Sequence, residues 1–156
     1  MFENEFEGKP GPELFGELAS MNVSTLHPIE RSWALTGIRQ MESWLAAQQC
    51  RLLLELGSDF ERCLGGGNAA DEVMAAHRVS AYAAERHVRL ARSTGRAPAL
   101  LEALESGRLG VPHAHRLSQH LEELDTPEAA VVAARVCADE RLPLWSVGDV
   151  GRAAAR

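Results

Sequence analysis

Histidines are the first candidates for chemistry in this chain: there are six, and three of them crowd together as His113-Ala114-His115 with His120. In a helix, residues two apart point about 200° from each other, so His113 and His115 cannot hold one metal ion from a regular turn. His113 and His120, seven apart, can share a face, but no Cys, Asp or Glu at ligand spacing completes a coordination set. The cysteines Cys50, Cys63 and Cys137 stand far apart, form no C-x-x-C pair, and read as small buried thiols of a reducing cytoplasm. Carboxylates are abundant, yet none is spaced so as to single out a general acid and its base. The chain has no G-x-S-x-G elbow and no dinucleotide fingerprint. Gly65-Gly66-Gly67-Asn68 is followed by no Lys-Ser or Lys-Thr pair, so it reads as a linker rather than a phosphate loop. The expectation is no catalytic residue, no metal site and no cofactor.

What remains is cationic chemistry. With 22 acidic and 16 basic residues the net charge is −6, which excludes a uniformly basic nucleic-acid coat but not a local patch. Only the stretch 64–96 is net positive, and it holds Arg78, Arg86, Arg89, Arg92 and Arg96. Ser80 can cap a helix that carries most of them, with Val79, Ala84, Val88 and Ala91 turned to a core. Ser80, Tyr82, Arg86, Arg89 and Arg92 are therefore the candidates for contact with double-stranded DNA, where long donors reach base edges or phosphates. A competing reading exists. Arg outnumbers Lys 15 to 1, the signature of a GC-rich coding bias that puts arginines on every solvated face. Glu85 can also pair with Arg89 four residues on.

The elements that must position these residues read as helices. Ala occurs 24 times while aromatics make up only 5% of the chain, a mixture that disfavours β-sandwiches and favours close-packed helices. Residues 1–27 read as a flexible start and a short helix from Pro12 to about Ser20. Residues 28–64 read as one long helix. Its apolar face is expected at Ala34, Ile38, Met41, Leu45, Leu52, Leu56 and Phe60, with Trp33 and Trp44 in the packing. Such a helix is too long for a small domain to cover alone, so it should lie along several neighbours or along a second copy of itself. Residues 65–68 form a Gly-rich hinge, and 69–156 a bundle of short helices. Within it, 77–124 resembles a helix-turn-helix array: Ser80 opens one helix, Pro98 the next, Gly107 closes that one, and another begins near Pro112. The latter carries Ala114, Leu117, Leu121 and Leu124. Asp125-Thr126-Pro127-Glu128 starts a helix that should run to about Arg141 before Pro143, and a last one starts at Ser146. No apolar run approaches the roughly 18 residues of a membrane span, and the acidic start lacks the layout of a signal peptide. The fold class is all-α and the expected location cytoplasmic.

The string Val79-Ser80-x-x-x-Ala84-x-x-x-Val88-x-x-Ala91, followed by Pro98, Leu101, Ala103-Leu104, Gly107-Arg108-Leu109 and His113-Ala114, resembles a bacterial family, the domain of unknown function 222 or 13E12 repeat family. Trp44-Leu45-Ala46-Ala47 with Arg51-Leu52-Leu53 is similar to that family's long first helix. The likeness covers roughly residues 30–156. Members usually continue into a C-terminal HNH nuclease domain, so the resemblance implies a helical region that serves a DNA-acting enzyme. No His-Asn-His constellation is present here, and the chain would then be a product truncated before that domain, without nuclease activity. Gly110 stands where members often place a Ser or Thr cap. More distantly, the segment is similar to the central helix-turn-helix of ParB-type partition proteins, in which the helix after Ser80 would read DNA. The leading expectation is a non-catalytic DNA-associated module. The alternative is a structural scaffold that forms a homo-oligomer through its long helix and leaves its arginines solvated.

Overall fold

The computed structural model describes residues 9–62 and 67–156. The chain is all-α, and among the described residues there is no strand. Helix α1 spans Pro12–Ser20, α2 Pro28–Arg62, α3 Ala69–His77, α4 Ala81–Arg96, α5 Pro98–Glu105, α6 Val111–Leu121, α7 Thr126–Ala138 and α8 Val147–Ala154. Short 3-10 turns at Val23–Thr25 and Leu142–Leu144 complete the order.

Local capping chemistry sets most of these boundaries. The Asn68 side chain accepts from the Asp71 amide at 2.9 Å, and Asp125 accepts from the Glu128 amide at 2.9 Å. Ser146 and Asp149 cap each other reciprocally at the start of α8. Each such cap contributes about 1 kcal/mol by satisfying an amide that has no partner in the helix. Prolines occupy the first turns of α5, α6 and α7, where their missing N–H costs nothing. Helix α3 stops at His77, where Arg78 turns left-handed (φ 52°). One end differs from expectation: α7 stops at Ala138, before Arg141.

One core joins α2 through α8. Leu100, Leu104, Leu117 and Leu121 are fully buried, interleaved with Ala84, Ala91, Ala103, Ala114, Ala129 and Ala133, whose small side chains let helix axes approach closely. Val88 is buried and Val79 half-buried, as expected for the inner face of α4. At the α4–α6 contact the Ser93 and Ser118 hydroxyls meet at 2.9 Å, so this buried polar pair satisfies itself. Cys50 and Cys137 are free buried thiols; burial is the first cause pushing each up to about 11. Cys63, Gly65 and Gly66 lie outside the described residues. Residues on both sides of the glycine run, Ala47, Cys50 and Leu53 before it and Val73 after it, belong to the same core.

Helix α2 corrects the expected packing face. At about 100° per residue, Ala34, Gly37 and Met41 lie on one side, and Ala47, Cys50 and Leu53 lie roughly opposite; all six are buried. The first side receives α1: a methyl added at Gly37 would meet Leu18 at 3.4 Å and Leu14 at 3.5 Å. The second side faces the bundle. Ile38, Leu45 and Leu52, expected in the core, continue α1's side past the end of α1 and are 45%, 54% and 71% exposed. Trp33 and Trp44 are half-buried. The periodicity located the apolar stripe correctly but not its neighbour, because the bundle packs on small residues that a hydrophobicity count undervalues.

Candidate nucleic-acid interface

Two local devices orient α4. Arg78 reverses the chain after α3, and the Ser80 hydroxyl accepts from the Ala83 amide at 3.3 Å. From there, helical geometry places Tyr82, Glu85, Arg86, Arg89 and Arg92 within an arc of about 120°, while Ala84, Val88 and Ala91 face the core. The ridge of sequence-predicted residues therefore exists. Its side chains are not equally available.

Ser80 is exposed but spends its hydroxyl oxygen on the cap. Tyr82 stands free at 72% exposure. Arg89 donates through Nε to Glu122 at 3.0 Å, where α6 ends, and its side chain is only 27% exposed. Arg92 lies 3.4 Å from Glu85, so Glu85 pairs one helical turn further on than the expected Arg89. Arg86 has no carboxylate partner among the described residues and sits half-buried beside imidazoles. Arg96, on the same helix, is structural. It donates to the Leu121 carbonyl at 3.3 Å and to the Leu124 carbonyl, closing the end of α6. Arg108 does the same for α7 through the Asp139 carbonyl at 3.0 Å, and Arg135 for α8 through the Ala153 carbonyl at 3.1 Å.

The histidines regroup in a way that spacing does not reveal. His113 donates through Nε2 to the Trp145 carbonyl at 2.8 Å, and His120 is held apart from it with Nε2 buried. His115 instead faces α4, its ring centroid 5.9 Å from that of His87, which in turn lies 5.7 Å from His77. Three elements thus bring three imidazoles together, two of which, His87 and His115, feel the charge of Arg86. Burial first, then repulsion from Arg86, His87 and Arg89, lowers the His115 pKa to about 4; burial followed by His77 and Arg86 lowers that of His87. Both rings are neutral at pH 7, and their surroundings carry a positive field. No group of three His, Cys, Asp or Glu side chains among the described residues is placed to hold a metal ion.

A second arginine cluster escaped the sequence reading. Arg135, Arg141, Arg152 and Arg156 line a groove beside Trp145, with the Arg141 guanidinium 6.0 Å from the indole. Asp139 and Asp149 pair with Arg141 and Arg152, which leaves Arg135 and Arg156 without a carboxylate partner among the described residues, so this groove is no less cationic than the α4 face. No helix among the described residues is long and apolar enough to cross a membrane. Neither a family model, nor a curated protein, nor a solved structure matches this chain.

Proposed function

We propose that this chain is a cytoplasmic, non-catalytic helical module that associates with double-stranded DNA through the outer face of α4. The observation that carries the reading is the setting of Arg86: a guanidinium without a carboxylate partner among the described residues, flanked by His87, His115 and Arg89, with Tyr82 exposed on the same arc. In an otherwise acidic molecule this is a local anion-attracting surface. The pairs Arg89–Glu122 and Arg92–Glu85 do not oppose it decisively. Partly exposed pairs contribute about 0–1 kcal/mol, so neither guanidinium is locked against exchanging its carboxylate for a phosphate. A phosphate arriving beside His87 and His115 also raises their pKa values and recruits protons to the contact. The resemblance to the 222 family, with its usual HNH nuclease partner domain, supports the same direction.

The test is a fluorescence-anisotropy titration with duplex DNA at several salt concentrations. Binding through several phosphates gives a log–log slope of about −0.9 per phosphate, and Arg86→Ala should reduce that slope by about one. Absence of binding, or a slope unchanged in an Arg86→Ala, Arg89→Ala double variant, would overturn the proposal. One observation favours the scaffold reading instead: the apolar stripe that α2 leaves uncovered.

A further inference from the structure

The exposed stripe of α2 has a stricter order than an accidental scatter of leucines. Arg31, Leu35, Ile38, Glu42, Leu45, Gln49, Leu52, Leu56 and Asp59 follow one another at alternating steps of four and three, the heptad spacing of a left-handed coiled coil. All lie within the single helix Pro28–Arg62, on a flank that borders the bundle: Gln49 Nε2 lies 3.3 Å from His77 Nε2, and Leu45 and Leu52 form one wall of an open groove whose other wall includes His87, Leu90 and Val111. Leu35, Ile38, Leu45 and Leu52 are 68%, 45%, 54% and 71% exposed. On this length of helix so much large aliphatic surface is a docking surface rather than a solvated face.

Charge selects the occupant and its direction. The stripe is basic at one end (Arg31), acidic at the other (Asp59) and polar at Glu42 and Gln49. Laid parallel in register on a second copy, it would set Arg31 against Arg31, Glu42 against Glu42 and Asp59 against Asp59. Turned end for end about Leu45, it sets Arg31 opposite Asp59 of the second copy, Ile38 opposite Leu52, and Glu42 beside Gln49, with Leu45 meeting itself. Opposed charges at the ends and a polar pair inside an apolar seam are the devices that fix orientation and register in paired helices; here Arg31 would exchange with Arg62 for Asp59, and Glu42 with His77 for Gln49, both of them contacts at the exposed surface of one copy. The paired length from Arg31 to Asp59 is about 42 Å at 1.5 Å per residue. We infer that two copies of this chain pair antiparallel through the outer stripe of α2, with Leu45 at the two-fold axis. The inference uses none of the α4 arginines, so the failure of DNA binding in the titration above leaves it standing.

Sedimentation velocity of the full chain at micromolar concentration should show a dimer, and Leu45→Glu should weaken the association at least tenfold. Both substitutions that follow are on exposed residues and leave the bundle intact, which circular dichroism checks. Arg31→Asp alone should weaken the dimer, and adding Asp59→Arg should restore it. Orientation is read by oxidative cross-linking in a Cys63→Ser background: Leu45→Cys should cross-link to itself, whereas Ile38→Cys should not. Self-cross-linking at both positions would show a parallel pair and overturn the stated orientation. A monomeric parent chain, or failure of the double charge reversal to restore pairing, would overturn the inference.

Discussion

The two long sides of α2 use hydrophobic residues in opposite ways. Toward the bundle, the helix offers Ala47, Cys50 and Leu53, and the contact is tight enough that a methyl added at Gly107 would lie 2.9 Å from Gln40 Cγ and 3.3 Å from its Cα. On the adjoining flank, the larger Ile38, Leu45 and Leu52 stay largely exposed within one copy of the chain, Leu45 and Leu52 at the edge of a groove beside α4. The side with the smaller residues is therefore the side that holds the fold. Stability inside a domain follows contact density and the exclusion of water, and a small residue that lets two backbones meet serves both. Large exposed residues contribute only when something else covers them.

That contrast can be broken in order of effect. Leu117→Ala, which opens a cavity in the bundle core, should cost about 2–5 kcal/mol in denaturant unfolding. Ala47→Leu should cost about 1–3 kcal/mol by overpacking the close side of α2. Gly107→Ala acts on the same contact. It puts a Cβ at φ 69° and against Gln40 together, for a loss of about 1–2 kcal/mol or more. Leu52→Gln, on the outer side, should change unfolding of the monomer by no more than about 0.5 kcal/mol. If Leu52→Gln proved as damaging as Leu117→Ala under dilute conditions, the division of α2 into a structural and an associative side would fail.

A pH experiment sharpens the same division at the α4–α6 contact. His115 has a folded pKa of about 4, below its ordinary value of 6.5, chiefly because burial penalises the charged ring. Between those values the unfolded chain binds the proton and the folded chain does not. Its contribution to stability is thus fully present above about pH 6.5 and lost as the pH falls toward 4. His115→Gln should flatten this part of the profile relative to the parent chain. The difference between the two curves isolates the ring from carboxylates titrating nearby.

These particulars also show what could be read from the chain alone. The caps at Ser80, Asp125 and Ser146 and the prolines at α5, α6 and α7 are local signals, so the helix starts were legible. The arc of Tyr82, Arg86, Arg89 and Arg92 was legible too, because a single helix fixes it. The pairing of Arg89 with Glu122 and the meeting of His77, His87 and His115 were not, since each joins residues from different elements whose crossing is set by alanines in the core. The misplaced face of α2 has a related cause. Hydrophobic periodicity reports where large apolar groups point, and here two stripes coexist on one helix, one for the fold and one for a partner.

The arginines at Arg96, Arg108 and Arg135 have a consequence on the alkaline side. Each closes a helix end by donating to main-chain carbonyls, and a guanidinium keeps its proton at any pH the chain survives. With a single lysine in the whole chain, almost no cation is lost on raising the pH. The buried thiols of Cys50 and Cys137, held protonated up to about 11 against an ordinary 9.0, contribute stability that is fully present below about pH 9 and lost as the pH rises toward 11, so base loosens the bundle through these two groups rather than through any failing clasp.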